Sequence, residues 1–319
     1  MNCLCCGKGL LPEEEKCGWH KRCIKKFFGT PTLPNIEINE HTLQQITLET
    51  TSKGYTVPGV QKKLSLHLEK ERGRNARLTL VNYNYPTGYI LKPQVEEYRA
   101  LPESEHLVMQ MADASRIFTV PHALILGENG YSYITKRIDR IFKKDSAELL
   151  AMEDFCQLDL RLTQDKYRGS CERCAKLIER YSSRSKMDLS ELYLRLVFSF
   201  LVGNSDMHLK NFSLIENNPN SGFYTLSPAY DLLPVNVIMP ADREELALSL
   251  NGKKTNLRKK DFLIFADECG IDRGAAEKMI RKLLGMKETY QKLCRDSLLP
   301  DDMKESVSEL IEARVDRLS

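Results

Sequence analysis

The sequence predicts an α+β fold in two lobes, the first built on a β-sheet and the second helical. Three observations predict it. A chain of 319 residues is longer than one small core organises, so two lobes are expected. Short β-branched or alternating segments, separated by Gly, Pro and Asn, fill the first part and give way to helical periods from about residue 147. Within the helical half, the apolar run LRLVFSFLVG (194–203) breaks abruptly into NSDMHLKN (204–211).

Taken in order, ITLET (46–50), KKLSLHLE (62–69), RLTLVN (77–82) and YILKP (89–93) read as strands of an antiparallel sheet. After Pro102, ESEHLVMQMADASRI sets Leu107, Met111 and Ala114 on one face and predicts a helix. HALILGENGYSYITKRI is a hairpin turning at Glu-Asn-Gly. Helical periods follow in AELLAMEDFCQLDL, CERCAKLIERYSS and DLSELYLRLVFSFLVG, and further helices are expected at 258–269, 274–293 and 301–317. FSLIENNPNSGFYTLSPAYDLLP is a two-stranded insert turning at Asn-Asn-Pro-Asn-Ser-Gly. The expected division is a Cys-rich leader at 1–35, a strand lobe at 36–140 and a helical lobe at 141–319.

Composition narrows the function classes. With 42% hydrophobic and 29% charged residues the chain has the apolar material of a globular protein. A net charge of +3, with both signs interleaved, gives no reason to expect a nucleic-acid or membrane surface. The N-terminus lacks a basic stretch followed by an apolar one, and LRLVFSFLVG is about half the length a membrane span requires. Ten cysteines in that context suggest reduced thiols or metal ligands and a cytoplasmic location.

The polar break carries the chemistry. Asp206 and Asn211 lie five apart in a short loop that opens a strand, and Asp231 follows at the end of the paired strand. A carboxylate, an amide oxygen and a second carboxylate are hard oxygen groups: two suit Mg²⁺ while the third accepts a proton from a hydroxyl nucleophile. That division of labour suits phosphoryl transfer, and D-x-x-x-x-N is the spacing of protein kinase catalytic loops. Asp and Asn five apart also occur in ordinary turns, so the spacing alone is weak. A kinase further needs a strand lysine for the nucleotide phosphates and a helix glutamate to orient it. Lys92 in YILKP and Glu105 in the next helix supply that pair, the alternative being a solvated strand-edge lysine. TSKGYTVPGVQKKLSLHL, with Gly54 and Gly59 before a strand, suits a phosphate-approaching loop or an ordinary hairpin turn. Lys63 emerging from it adds charge near phosphate or is simply solvated. His208 reads as support for Asp206 or as a proton shuttle.

In the leader, Cys3-x-x-Cys6 and His20-x-x-Cys23 have the spacing of a Cys₃His structural zinc knuckle, with Trp19 to cover it; the alternative is a leader of reduced thiols. Cys171 and Cys174 fall on a predicted helix and read as core.

GVQKKLSL, YILKP, LPESEHLVMQMA, YITKRIDR, LAMEDFCQ, FLVGNSDMHLKNFSLI, LSPAYDLLPV and LALSLNGK, in that order from about residue 50 onward, resemble the HipA family of bacterial serine/threonine kinase toxins. The resemblance implies a bilobal protein-kinase-like fold that uses ATP and Mg²⁺. It makes Asp206 the catalytic aspartate, Asn211 and Asp231 the Mg²⁺ ligands, Lys92 the phosphate lysine and Glu105 its partner. Gly59, Val60, Gln61 and Lys63 would line the phosphate-facing loop, and Thr135, Lys136 and Arg137 the adenine hinge. Such kinases phosphorylate a serine of an aminoacyl-tRNA synthetase and are neutralised by an operon-encoded antitoxin, often a helix-turn-helix protein.

Two departures qualify the resemblance. Only about fifty residues precede the phosphate-loop region, as in the shorter, HipT-like form in which an N-terminal subdomain is a separate small antitoxin. Where the family has regulatory autophosphorylated serines, this chain has Thr56, with Ser52 nearby; a phosphate there would repel those of ATP. The other readings are a pseudokinase or binding module, and a small-molecule kinase. Lys92, Asp206, Asn211 and Asp231 are all present, which favours an active enzyme over the first.

Overall fold

The computed structural model describes residues 1–36, 63–70, 76–80, 87–127, 130–143 and 146–319; the strand expected at 46–50 lies outside them. By their contacts the described residues gather into two compact units, Met1–His106 with Pro121–Ala147, and Leu107–Val120 with Glu148–Ser319. The class is the predicted α+β one, with a sheet in the first unit and mostly helices in the second.

The first unit contains α1 (Lys21–Phe28), β1 (Asn35–Ile36), β2 (Leu64–Lys70), β3 (Ala76–Leu80), β4 (Tyr89–Pro93), the first turns of α2 (Leu101–Ala114), β5 (His122–Gly127) and β6 (Gly130–Lys136). These strands form one sheet in the order β1-β3-β2-β4-β6-β5, antiparallel except where β1 runs parallel to β3. Alternation sets the register: Leu64 and Leu66 are buried, and Leu64 faces the buried Leu91 across the β2–β4 pair. β7 (Arg140–Phe142) and β8 (Ala147–Leu149) pair as a short ribbon at the boundary.

In the second unit the chain forms β9 (Met152–Asp154), α3 (Phe155–Leu158), α4 (Cys171–Tyr181), α5 (Ser185–Leu201), β10 (Ser213–Glu216), β11 (Tyr224–Leu226), α6 (Val235–Ile238), α7 (Lys259–Glu268), α8 (Arg273–Leu284), α9 (Lys287–Asp296) and α10 (Asp301–Leu318). α5 is the post of this unit and packs against α4, α7, α8 and α10. It has no side-chain N-cap, which elsewhere contributes about 1 kcal/mol. Its hold is burial: Leu192, Val197, Phe198, Phe200 and Leu201 are fully buried, each contributing about 1.5–3 kcal/mol. The helix stops at Gly203, whose φ of +71° is left-handed; a Cβ there would meet Leu310 at 3.0 Å. No helix among the described residues is long and apolar enough to cross a membrane.

Two elements differ from the sequence reading. AELLAMED is rich in helix formers and was expected as helix, yet Met152–Asp154 is a strand that pairs with Ser213–Glu216, Ile215 opposite Met152. A sheet edge that needs a partner outweighs a weak local propensity here, and three strands stand where two were expected. Helix begins only at Phe155, where Asp154 accepts the Gln157 N–H at 2.9 Å and Gln157 Oε1 accepts the Asp154 N–H at 3.0 Å. The single helix expected at 274–293 is two, interrupted at Gly285 and Met286. Its buried positions Ala276, Ile280, Leu283, Tyr290 and Cys294 keep one helical phase across the break, so periodicity does not reveal it.

Candidate active site

In the first unit, register and burial fix one lysine. β4 is covered on both faces: Leu91 is fully buried on one and Lys92 only 4% exposed on the other. Lys92 Nζ donates to Glu105 Oε1 at 2.5 Å, with Glu105 fully buried on the early part of α2. Tyr133, opposite Lys92 in the β4–β6 register, places its ring centre 5.2 Å from the same ammonium. Desolvation offsets most of the attraction in a buried pair of this kind, so its main effect is to hold the ammonium in one place. Behind it, His106 and His122 meet Nδ1 to Nδ1 at 3.0 Å, and the His122 ring stacks on Tyr133. Burial, and then the neighbouring His122, holds the His106 imidazole well below its ordinary pKa.

Thr135 and Lys136 end β6 and Arg137 follows it; the backbone N–H of Lys136 donates to Pro121 O at 3.1 Å and that of Arg137 to Gly88 O at 2.9 Å. Thr135 Oγ1 also donates to Pro121 O, at 2.9 Å, and the Lys136 ammonium lies 5.6 Å from the centre of the Phe27 ring. Lys63 is exposed at the start of β2, while Ser52, Thr56, Gly59, Val60 and Gln61 lie outside the described residues.

In the second unit the polar break folds into a closed loop. The Asp206 carbonyl accepts both the His208 N–H at 2.8 Å and Asn211 Nδ2 at 2.8 Å, and Asn211 N–H donates to His208 O at 2.9 Å. The five-residue spacing is therefore that of a loop whose last side chain returns to its first carbonyl. With its nitrogen engaged, the buried Asn211 amide turns its oxygen the other way. From the loop ahead of α4, Tyr167 donates its hydroxyl to Asp206 Oδ1 at 2.6 Å and meets the His208 ring edge-on at 5.0 Å. Burial and then the Asp206 carboxylate push the Tyr167 hydroxyl pKa up, so it remains a proton donor. His208 is buried within this contact.

Asp231 is placed through the paired strands. Buried Asp188 of α5 accepts the Leu226 N–H at 2.7 Å, and Arg195 of the same helix donates to Ser227 O at 2.8 Å. Beyond β11, Tyr230 reaches back: its hydroxyl shares a 2.6 Å hydrogen bond with Ser213 Oγ and donates to Lys210 O at 3.1 Å. The neighbour of Asp231 is thus tied to both ends of the segment that carries Asn211. Asp231 itself takes φ +62°, a left-handed conformation that Asp tolerates better than most residues and that persists where surroundings impose it. Lys210 Nζ pairs with Asp154 Oδ2 at 2.6 Å, binding the loop to β9.

The leader brings its four predicted ligands together: the ligand atoms of Cys3, Cys6, His20 and Cys23 all lie within 4.8 Å of one another. Cys171 and Cys174 are buried on α4, as a core reading expects. Sequence reasoning missed Tyr167 and Tyr230. Tyr230 had a local signal, its place directly before Asp231; Tyr167 acts across 39 residues from an aperiodic loop and had none.

The family model of the HipA-like C-terminal domain matches residues 55–290. A Haemophilus influenzae protein named a putative kinase is 27% identical over 276 residues, 78% of this chain and 77% of the relative. Two Sinorhizobium fredii putative kinases, Y4mE and Y4dM, are 27% and 31% identical over 72% and 67% of this chain, which spans about half of each (54% and 52%). Among solved structures, Shewanella oneidensis HipA, from a complex of HipA, HipB and operator DNA, superposes with a TM-score of 0.68 at 18% identity, over 82% of this chain and 65% of that one. The Helicobacter pylori proinflammatory kinase CtkA gives 0.54 at 15% identity, over 76% and 90%. The fold is kinase-like.

Proposed function

Because the chain belongs to the HipA-like C-terminal domain family, we propose that it is an ATP- and Mg²⁺-dependent protein serine/threonine kinase and the toxin of a toxin–antitoxin pair. The observation that carries the reading is the closed loop in which Asn211 returns to the Asp206 carbonyl while Tyr167 holds the Asp206 carboxylate.

Each residue has a task that follows from its surroundings. Asp206 accepts the proton of the acceptor hydroxyl as it attacks, and Tyr167 keeps that carboxylate oriented. Lys92 meets the nucleotide phosphates, steered by Glu105. The Asn211 amide oxygen and the Asp231 carboxylate are hard donors that fit Mg²⁺, and these two residues would hold it. When bound, the ion neutralises phosphate charge. His208, packed against Tyr167, supports the loop. Thr135, Lys136 and Arg137 are proposed to border the adenine, and Gly59, Val60, Gln61 and Lys63 the phosphates; Thr56, with Ser52 second, is the proposed autophosphorylation site.

The protein substrate is proposed to be a translation component such as an aminoacyl-tRNA synthetase, and the partner a small antitoxin of the helix-turn-helix kind. Shewanella oneidensis HipA was solved in a complex with HipB and operator DNA. For this chain, with its near-balanced charge of +3, contact with DNA is assigned to the antitoxin. The test is phosphoproteomics of cells expressing the chain beside its Asp206→Asn variant. One or a few serine sites that depend on Asp206, accompanied by growth arrest, support the reading; identical phosphoproteomes contradict it.

A further inference from the structure

The leader carries chemistry that the kinase reading does not use. We propose that Cys3, Cys6, His20 and Cys23 form a closed structural zinc site that clamps the N-terminal segment onto the sheet of the first unit.

The four ligand atoms gather within 4.8 Å of one another, and the two sulfur–imidazole distances are those of a metal polyhedron. A tetrahedral Zn²⁺ with Zn–S near 2.3 Å and Zn–N near 2.0 Å sets its ligand atoms about 3.6–3.8 Å apart. Cys6 Sγ lies 3.4 Å and Cys23 Sγ 3.8 Å from His20 Nδ1. Three thiolates and an imidazole are the soft set that suits zinc, and four protein ligands leave no open position, which marks a structural rather than a catalytic site.

The surroundings prepare each ligand. His20 Nε2 lies 2.9 Å from Gly9 O, and a carbonyl only accepts, so the ring proton sits on Nε2 and the Nδ1 lone pair faces the sulfurs. The His20 backbone N–H donates to Cys3 Sγ at 3.4 Å, a contact that fixes where that sulfur sits. Between the first two cysteines the chain turns tightly: Gly7 N–H donates to Cys3 O at 2.9 Å, Cys3 N–H donates to Lys8 O at 2.8 Å, and Gly7 takes a left-handed φ of +67°. Cys17 stands apart, its thiol donating to Glu14 O at 3.3 Å and Trp19 O at 3.2 Å.

The site sits where a clamp is useful. α1 has eight residues, too few for a stable isolated helix, and it begins directly after His20 with Cys23 in its first turn. Its Phe27 and Phe28, with Trp19, form an aromatic cluster against Tyr89 on β4, and Tyr89 donates to Phe27 O at 3.3 Å. On the other side of the turn, Leu124 N–H of β5 donates to Leu4 O at 2.8 Å. The metal would join the Cys3–Cys6 turn to the start of α1, and so fasten both to β4, the strand that carries Lys92.

The experiment is metal analysis of the full chain purified without chelator. One zinc per folded chain is expected, retained in Cys17→Ser and lost or sharply reduced in Cys6→Ser and His20→Ala. So that the test does not depend on the folding of those two variants, the wild-type protein is also titrated with an organomercurial, which should release its zinc, and reconstituted with Co²⁺. The cobalt form should show the intense visible bands of tetrahedral coordination and a thiolate charge-transfer band. Zinc release should lower the melting temperature. Folded wild-type protein without zinc above the buffer blank overturns the proposal, as does an octahedral cobalt spectrum.

Discussion

The Tyr167 hydroxyl donates to Asp206 Oδ1 at 2.6 Å, and the Lys166 carbonyl beside it accepts the Leu209 N–H at 3.1 Å, so two loops are fastened on either side of one carboxylate. A hydrogen bond to a charged acceptor contributes about 1.5–3 kcal/mol. If much of this serves to orient Asp206, Tyr167→Phe lowers kcat about tenfold and leaves the KM for ATP within about twofold. Steady-state kinetics separate the two. A raised KM with unchanged kcat would place Tyr167 in nucleotide binding instead.

Lys92 and Glu105 are expected to be coupled in stability as well as in activity. Removing one partner leaves the other buried and charged, at a cost of about 3–5 kcal/mol, so Lys92→Met should lower the unfolding midpoint markedly. Adding Glu105→Gln removes the buried charge that Lys92 balanced and should restore much of that stability without restoring turnover. Thermal melts of the single and double variants give the coupling directly, and additive losses would rule it out.

Asp231→Asn keeps the shape of the side chain but replaces one acceptor oxygen with a donor NH₂ and removes the charge, which weakens it as a hard ligand. Nucleotide affinity measured in Mg²⁺ should fall about tenfold or more, whereas affinity measured in EDTA should hardly change. Equal losses in both conditions would point to a damaged loop, not a lost ligand.

The histidine pair predicts a pH dependence of stability. Burial, then His122, depresses the His106 pKa in the fold, while the unfolded chain takes up a proton near pH 6.5. Stability is therefore full above that pH and declines on acidification by about 1.4 kcal/mol per pH unit, until the folded group itself protonates. Replacing the pair as His106→Leu with His122→Phe should shrink the stability difference between about pH 7.5 and about pH 5.5 by on the order of 1 kcal/mol. Urea unfolding at the two pH values measures it; an unchanged difference would assign the dependence to other groups.

Much of this was legible in the sequence, for reasons that can be named. Strands such as YILKP and LSLHL declare themselves by alternation and their neighbours' turns, and α5 by an apolar run too long for a strand. Asp206, Asn211 and Asp231 stood out because polar groups interrupt apolar segments at a spacing a loop can close. The four leader ligands stood out as two paired half-sites. What remained hidden depends on distant partners. Met152–Asp154 is strand only because β10 offers it an edge, and the break at Gly285 preserves the helical phase on both sides. Tyr167 finds Asp206 through the packing of a loop that has no period of its own.

The central claim is that Asp206 accepts the acceptor proton in phosphoryl transfer from ATP. Its most direct test is transfer of label from γ-labelled ATP, in Mg²⁺, to protein in a bacterial extract, comparing the purified wild-type chain with Asp206→Asn at equal nucleotide occupancy. Labelled protein is expected with the wild type and a loss of roughly a hundredfold or more in the variant, with nucleotide affinity retained. Transfer by Asp206→Asn at the wild-type rate would contradict it.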